Sequence, residues 1–444
     1  MHKAEPLKDL AAKYLILSFT LFVFAGILAL FLKIIQLLAL TSVPQVHSFY
    51  NRAFTMHGLI MMSFFLPPVF HAGFGYLVSG QKLLNKPRYF LEIATAGFLL
   101  HSTGIVAVLV GMFAGEFNSG WMIPWSEVQG AGVSGFLFFS GLLLLQMSRI
   151  TDSVNLLTLW LRSESRDKIF RSPFSWALMT VSFVYLLSLL TLPLLVFGSQ
   201  LNREWVGLYN LLLRPSVYLM TPLGVGLILE IVNEYQPLTK TNLAQAKICF
   251  IIVGLLAVLK MAFTLFSYFR QNLNLALYSD WLMGLLSVPL LGMIVIVLQV
   301  WPWRTRRRSA LTAMIQLLLV LLSLGTITGL YHLMTDSGQV ARSTYFLVAH
   351  FHTILFGTNL VAAVFAVLHL TSRQNLTTRV RLFIGGTLFF IFSLYAMGGL
   401  KVYRHQSQIL ITDVAWIFGF LSFLGGLCII MAVSWILFGF LSQD

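Results

Sequence analysis

The chain has 444 residues, 58% of them hydrophobic and only 10% charged, whereas an average soluble domain carries about a quarter charged residues. With a mean hydropathy of +0.85, this composition excludes a water-soluble globular protein and predicts an all-α polytopic membrane protein, read as a single transmembrane domain over 1–444. The formal net charge of +14 does not mark a nucleic-acid partner, because the basic residues lie in short loops between apolar runs, where they report orientation in a lipid bilayer.

Twelve apolar runs are each long enough for a hydrocarbon core that takes about 20 helical residues to cross. They cover 14–40, 54–79, 90–114, 129–148, 174–198, 209–232, 248–269, 281–301, 310–334, 343–371, 380–400 and 413–440. The first is followed by another apolar run and not by a small-residue cleavage site, so it is read as a retained span. Of the 29 Lys and Arg, twenty fall in loops on the N-terminal side and six on the other (Arg52, Arg203, Arg270, Arg342, Lys401 and Arg404), while Lys33, Arg214 and Lys260 fall within runs. That asymmetry puts both termini in the cytoplasm. The two cysteines, Cys249 and Cys428, lie inside apolar runs and provide neither a disulfide framework nor a thiolate metal cluster.

Histidine is costly inside a membrane span and therefore informative there. His57 follows Arg52 by five residues in the second run, which puts it roughly 8 Å in at 1.5 Å per residue. His350 and His352 follow Arg342 by eight and ten residues in the tenth run, roughly 12–15 Å in. All three belong to the outer third of the bilayer. On a regular α-helix, residues two apart point about 200° from each other, so His350 and His352 cannot serve one metal ion. Neutral imidazole is an axial ligand for heme iron, which suggests His57 and His352 on the two faces of one heme and His350 on a second. The other reading is that each ring satisfies itself on a neighbouring carbonyl.

Two segments carry a resemblance. Phe54-Thr55-Met56-His57-Gly58-Leu59-Ile60-Met61 with Gly73-Phe74-Gly75, and Tyr345-Phe346-Leu347-Val348-Ala349-His350-Phe351-His352, are similar to the second- and tenth-helix signatures of subunit I of the heme–copper oxidases. That family consists of twelve-helix membrane proteins that reduce oxygen or, in one branch, nitric oxide. The resemblance implies a low-spin heme between His57 and His352, a high-spin heme on His350, and heme propionates held by basic residues, for which Arg404, Lys401 and Arg342 are candidates.

The departures fall on the copper site. Where the family has His-Pro-Glu-Val-Tyr, this chain reads Arg214-Pro215-Ser216-Val217-Tyr218, and the adjacent histidine pair of the seventh helix aligns with Tyr268 and Phe269. No histidine lies between His101 and His332. Arg214, Tyr218, Tyr268 and Phe269 therefore form the expected distal pocket, and no copper is expected because a guanidinium has no lone pair to give a metal. The favoured expectation is a heme-binding electron-transfer subunit of a respiratory complex, with two heme sites and no copper. It would work with other membrane subunits and a cytochrome c-like or other periplasmic donor, in the bacterial inner membrane. An active oxidase or small-gas reductase with a modified centre, and a heme-free transporter or scaffold, are the alternatives.

Overall fold

The computed structural model describes residues 6–38, 44–81, 88–115, 128, 130–162, 171–191, 214–270, 282, 284–301, 309–334, 344–371, 378–402 and 413–441. Among these the backbone is helical, with no β-sheet. The elements are α1 (Pro6–Leu37), α2 (Pro44–Leu59), α3 (Gly75–Gln81), α4 (Arg88–Ala114), α5 (Gly132–Arg162), α6 (Pro173–Leu187), α7 (Arg214–Tyr235), α8 (Lys240–Arg270), α9 (Ser287–Val300), α10 (Ala310–Met334), α11 (Tyr345–Phe351), α12 (Thr358–Leu370), α13 (Thr378–Gly399) and α14 (Asp413–Leu441). Two π turns, Ile60–Phe65 and Pro68–Phe74, carry α2 into α3, and a third, His352–Gly357, carries α11 into α12.

Helix is the form in which a chain satisfies its own backbone where no water is available. The starts are written locally. Ser172 caps α6, its hydroxyl accepting from the Ser175 N–H at 3.1 Å ahead of Pro173, and Thr344 caps α11 by accepting from the Phe346 N–H at 3.2 Å.

All twelve predicted runs contain helix. Nine helices among the described residues are long and apolar enough to cross a membrane, and two more, Pro173–Leu187 and Ser287–Val300, are shorter apolar helices. The protein is an integral, multi-pass membrane protein. Several boundaries differ from expectation because a helix does not stop where charge appears, and two of them bear on the site. The fourth run was expected to end at 148, yet α5 continues to Arg162 with Arg149 and Asp152 buried along it. The second was expected to begin at 54, yet α2 starts at Pro44, so Arg52 is helical and cannot serve as a loop marker for the depth of His57.

The Cα packing divides the chain into two compact units, 1–25 with 51–226 and 250–272, and 26–50 with 227–249 and 273–444. In the first, α4 lies against α5, where Gly104 and Gly141 each face the other's carbonyl oxygen at a distance no Cβ would permit. In the second, α13 packs on α14 and on α11. Its C-terminus closes on itself: Lys401 N donates to the Gly398 carbonyl and Val402 N to the Met397 carbonyl, both at 3.0 Å, with Lys401 at φ 59°. This is a Schellman closure with lysine in the left-handed position that glycine normally takes. The buried Val402 then accepts from Tyr345 N at 2.9 Å, which ties the start of α11 to the end of α13.

Gly398 sets that contact, since a Cβ there would collide with the backbone nitrogen and Cα of Phe346. Neither backbone can yield. Gly398→Ala is expected to cost about 1–3 kcal/mol as an overpacked contact and to lower the thermal unfolding midpoint of the detergent-solubilised protein, whereas Gly399→Ala, which meets nothing within 4 Å, should not.

Candidate functional site: three histidines and two buried polar clusters

His57 belongs to the first unit, and His350 and His352 to the second. All three rings are half-buried. His57 Nδ1 donates to the Ala25 carbonyl at 3.0 Å and His352 Nδ1 to the Val348 carbonyl at 2.8 Å. His350 Nδ1 lies 3.0 Å from Thr328 Oγ1. A carbonyl can only accept, so His57 and His352 carry a proton on Nδ1, the tautomer in which Nε2 bears the lone pair. A ligating histidine is ordinarily held in this way, by a bond from its other nitrogen to a protein oxygen. The donor set therefore fits an axially bound heme iron.

The two neighbouring rings take different surroundings. His350 meets His332 of α10, with ring centroids 5.5 Å apart, and Gly329 of α10 lies flat against its Cε1 edge. His352 meets Phe390 of α13 at 5.3 Å and Phe356 at 6.0 Å. Helix α11 ends at Phe351, and His352 opens the π turn, in which Thr353 Oγ1 donates back to the Ala349 carbonyl at 2.7 Å.

Of the other expected site residues, Lys401 is described and exposed, in the left-handed turn already noted. Arg404 and Arg342 lie outside the described residues, as do the side chains of Arg214, Tyr218, Tyr268 and Phe269, although Arg214 begins α7 and the backbone at 268–269 is in α8.

Residues 9–435 match the family described as cytochrome C and quinol oxidase polypeptide I. The chain belongs to this family. It is 25% identical over 387 residues to cytochrome c oxidase subunit 1 of Corynebacterium diphtheriae, covering 80% of this chain and 66% of that protein. It is also 25% identical over 337 residues to cytochrome c oxidase subunit 1 of the scallop Pecten maximus, covering 69% of each. A heme-copper terminal oxidase dimer determined by cryo-EM shares the fold, with a TM-score of 0.67 at 14% identity over 99% of this chain and 84% of that one. The chain spans just under two-thirds of the length of the Corynebacterium diphtheriae relative.

Two buried clusters were not singled out from the sequence. In the first unit, the Asp152 carboxylate accepts from the Tyr76 hydroxyl at 2.7 Å and the Tyr14 hydroxyl at 3.1 Å, and Gly97 leaves room for it. Asn155 Nδ2 donates to Tyr76 Oη at 3.2 Å and to the Phe90 carbonyl at 2.9 Å. One turn away, Arg149 Nη2 donates to the Ser63 carbonyl at 3.2 Å, and His71 Nε2 lies 2.9 Å from Ser182 Oγ. In the second unit, buried Lys33 has Gln36 Oε1 at 3.3 Å and the Tyr345 hydroxyl at 3.5 Å, with its ammonium 4.6 Å from the Tyr345 ring centroid. The signal available for both is a charged residue inside an apolar run, but the fourth run as read from composition stops at 148, short of Arg149 and Asp152.

Asp152→Ala is expected to leave two buried phenol hydroxyls without an acceptor, at about 1–3 kcal/mol for each. Asp152→Asn retains an acceptor oxygen and should cost less. Thermal unfolding of the two variants in one detergent tests this ranking; equal midpoints would refute the hydrogen-bonding account.

Proposed function

We propose that this chain is the heme-binding electron-transfer subunit of a bacterial inner-membrane respiratory complex, built as one transmembrane domain of twelve spans with both termini cytoplasmic. His57 and His352 are the axial ligands of a low-spin heme, and His350 is the protein ligand of a high-spin heme. No copper is bound. The observation that carries this reading is that Nδ1 of all three histidines of the two signature segments faces a protein oxygen, the arrangement in which a histidine ligates through Nε2. Membership of the cytochrome C and quinol oxidase polypeptide I family supports the heme.

When bound, hemes in these positions supply one-electron exchange, and a heme with an open axial face also binds small gases. The chain's own residues hold the rings and exclude water. Phe390 and Phe356 pack on His352, and His332 of α10, itself against Phe346, packs on His350. Arg404, Lys401 and Arg342 offer the cations for heme propionates. Arg214, Tyr218, Tyr268 and Phe269 stand where the family's copper ligands and tyrosine belong, and arginine, tyrosine and phenylalanine provide no imidazole to complete a copper site. Other subunits and a periplasmic cytochrome c-like donor are the partners this role requires.

Replacing either His57 or His352 by alanine is expected to abolish the sharp reduced α-band while the protein still inserts. Retention of the full band in both variants refutes the assignment. Elemental analysis of the purified protein is expected to give iron without stoichiometric copper.

Carbon monoxide separates electron carrier from gas reductase. The reduced protein is expected to bind it at the His350 heme, Arg214→Ala to change its stretching frequency by removing a nearby positive charge, and oxygen turnover to be slight. Sustained oxygen consumption that is lost in His350→Ala would make the chain a reductase with a modified centre.

A further inference from the structure

Thr328, one turn before His332 on α10, is the partner of His350, and its hydrogen bonds can be counted completely. Its hydroxyl has one proton, and the Leu324 carbonyl at 2.8 Å and the Gly325 carbonyl at 3.2 Å are both pure acceptors. The proton is therefore directed back along α10. Two further groups lie 3.0 Å from the same oxygen, His350 Nδ1 and the Tyr395 hydroxyl of α13. With the Thr328 proton given to a carbonyl, the arrangement that satisfies all of these contacts has both groups donating to its two lone pairs. Nδ1 is then the protonated nitrogen of His350. The Tyr395 oxygen in turn lies 3.3 Å from Thr353 Oγ1, in the π turn that begins at His352.

We propose that Tyr395 is a positioning residue for His350: by donating to Thr328 it fixes the threonine oxygen as the acceptor for His350 Nδ1, and so sets both the tautomer of the imidazole and the strength with which Nε2 binds iron. The last part of this statement rests on the heme reading above. The physical basis is competition at one oxygen. A phenol donating into Thr328 draws charge from the oxygen that receives the imidazole proton and restrains the rotation of the hydroxyl. Removing the phenol frees that oxygen to change its bond to His350, and removing the threonine hydroxyl takes away the acceptor that faces Nδ1. Tyr395 acts only through Thr328, so its effect should vanish where the hydroxyl is absent.

The test is a cycle of Thr328→Val, Tyr395→Phe and the double variant, with Thr328→Ser as the conservative control. The readout is the iron–histidine stretching band of the reduced protein by resonance Raman spectroscopy, the band being assigned by its loss in His350→Ala. Expected are a lower frequency in Thr328→Val, a shift from wild type in Tyr395→Phe, the wild-type frequency in Thr328→Ser, and a double variant that coincides with Thr328→Val. An unmoved band in Tyr395→Phe overturns the proposal, as does a Tyr395→Phe shift of the same size in the Thr328→Val background.

Absence of any iron–histidine band in the wild type would refute the heme at His350 and not the hydrogen-bond chain. That chain is then decided by solid-state NMR of protein labelled with [15N]histidine. The His350 signal should show a protonated Nδ1, perturbed by Tyr395→Phe only when Thr328 is present. A His350 protonated on Nε2 would overturn the proposal.

Discussion

A polar group inside the hydrocarbon has no water to turn to, and each one the fold releases must be answered by another part of the protein. The second apolar run contains Pro67 and Pro68, neither of which has an N–H to return to the helix behind it. The backbone responds with π turns at Ile60–Phe65 and Pro68–Phe74, and carbonyls of residues 63 and 64 are left without their usual donors. Arg149 of α5 reaches the Ser63 carbonyl, and the ring of His101 in α4 faces the Phe64 carbonyl. Two helices thus supply donors to a third whose own ladder is broken by proline. The buried guanidinium has a structural use, and in the same unit the Asp152 carboxylate satisfies two phenols that would otherwise be stranded.

The same constraint shapes the histidines. A ring placed in lipid for any purpose must dispose of its N–H, and for His57 and His352 the disposal is a backbone carbonyl. Satisfaction on a carbonyl and service as a metal ligand are therefore not rival states of these residues, because each uses a different nitrogen. His350 differs in having a side-chain hydroxyl beside its Nδ1, and a hydroxyl takes its acceptor strength from whatever else it touches. This makes the surroundings of His350 adjustable by substitution in a way that those of the other two are not.

How much of this was legible in the sequence depends on which signal each feature leaves. The apolar runs located helices throughout, since composition alone decides that a segment of twenty apolar residues is helical in a bilayer. The ends were read from charges, and that failed where a charge rides on the helix itself, as Arg52 and Arg149 do. The three histidines stood out because imidazole is rare in such runs and their spacing constrains what they can share. The clusters around Asp152 and Lys33 did not, because partners that complete them come from segments distant in the chain: Tyr14 and Tyr76 for one, Tyr345 for the other. A hydrogen bond between residues 67 positions apart, as between Thr328 and Tyr395, leaves no periodicity to find.

The tenth-helix segment also shows why motif resemblance and cofactor binding have to be argued separately. Most of its residues answer to packing. Tyr345 donates its hydroxyl to Gln36 Oε1 at 2.8 Å, the Phe346 backbone sits on Gly398, and the Ala349 carbonyl takes the Thr353 hydroxyl. Val348 and Tyr395 lie against the buried group formed by Tyr345, Ala349, Leu394, Met397, Val402 and Ala415. A chain that had kept only the fold would need all of these and would lose nothing by exchanging His350 and His352 for leucine, which packs in a helix without a polar atom to satisfy. Here both positions hold imidazole, each with one ring nitrogen facing a protein oxygen. Packing explains the segment but not the choice of imidazole at these two positions, and it is on them that the proposed heme sites rest.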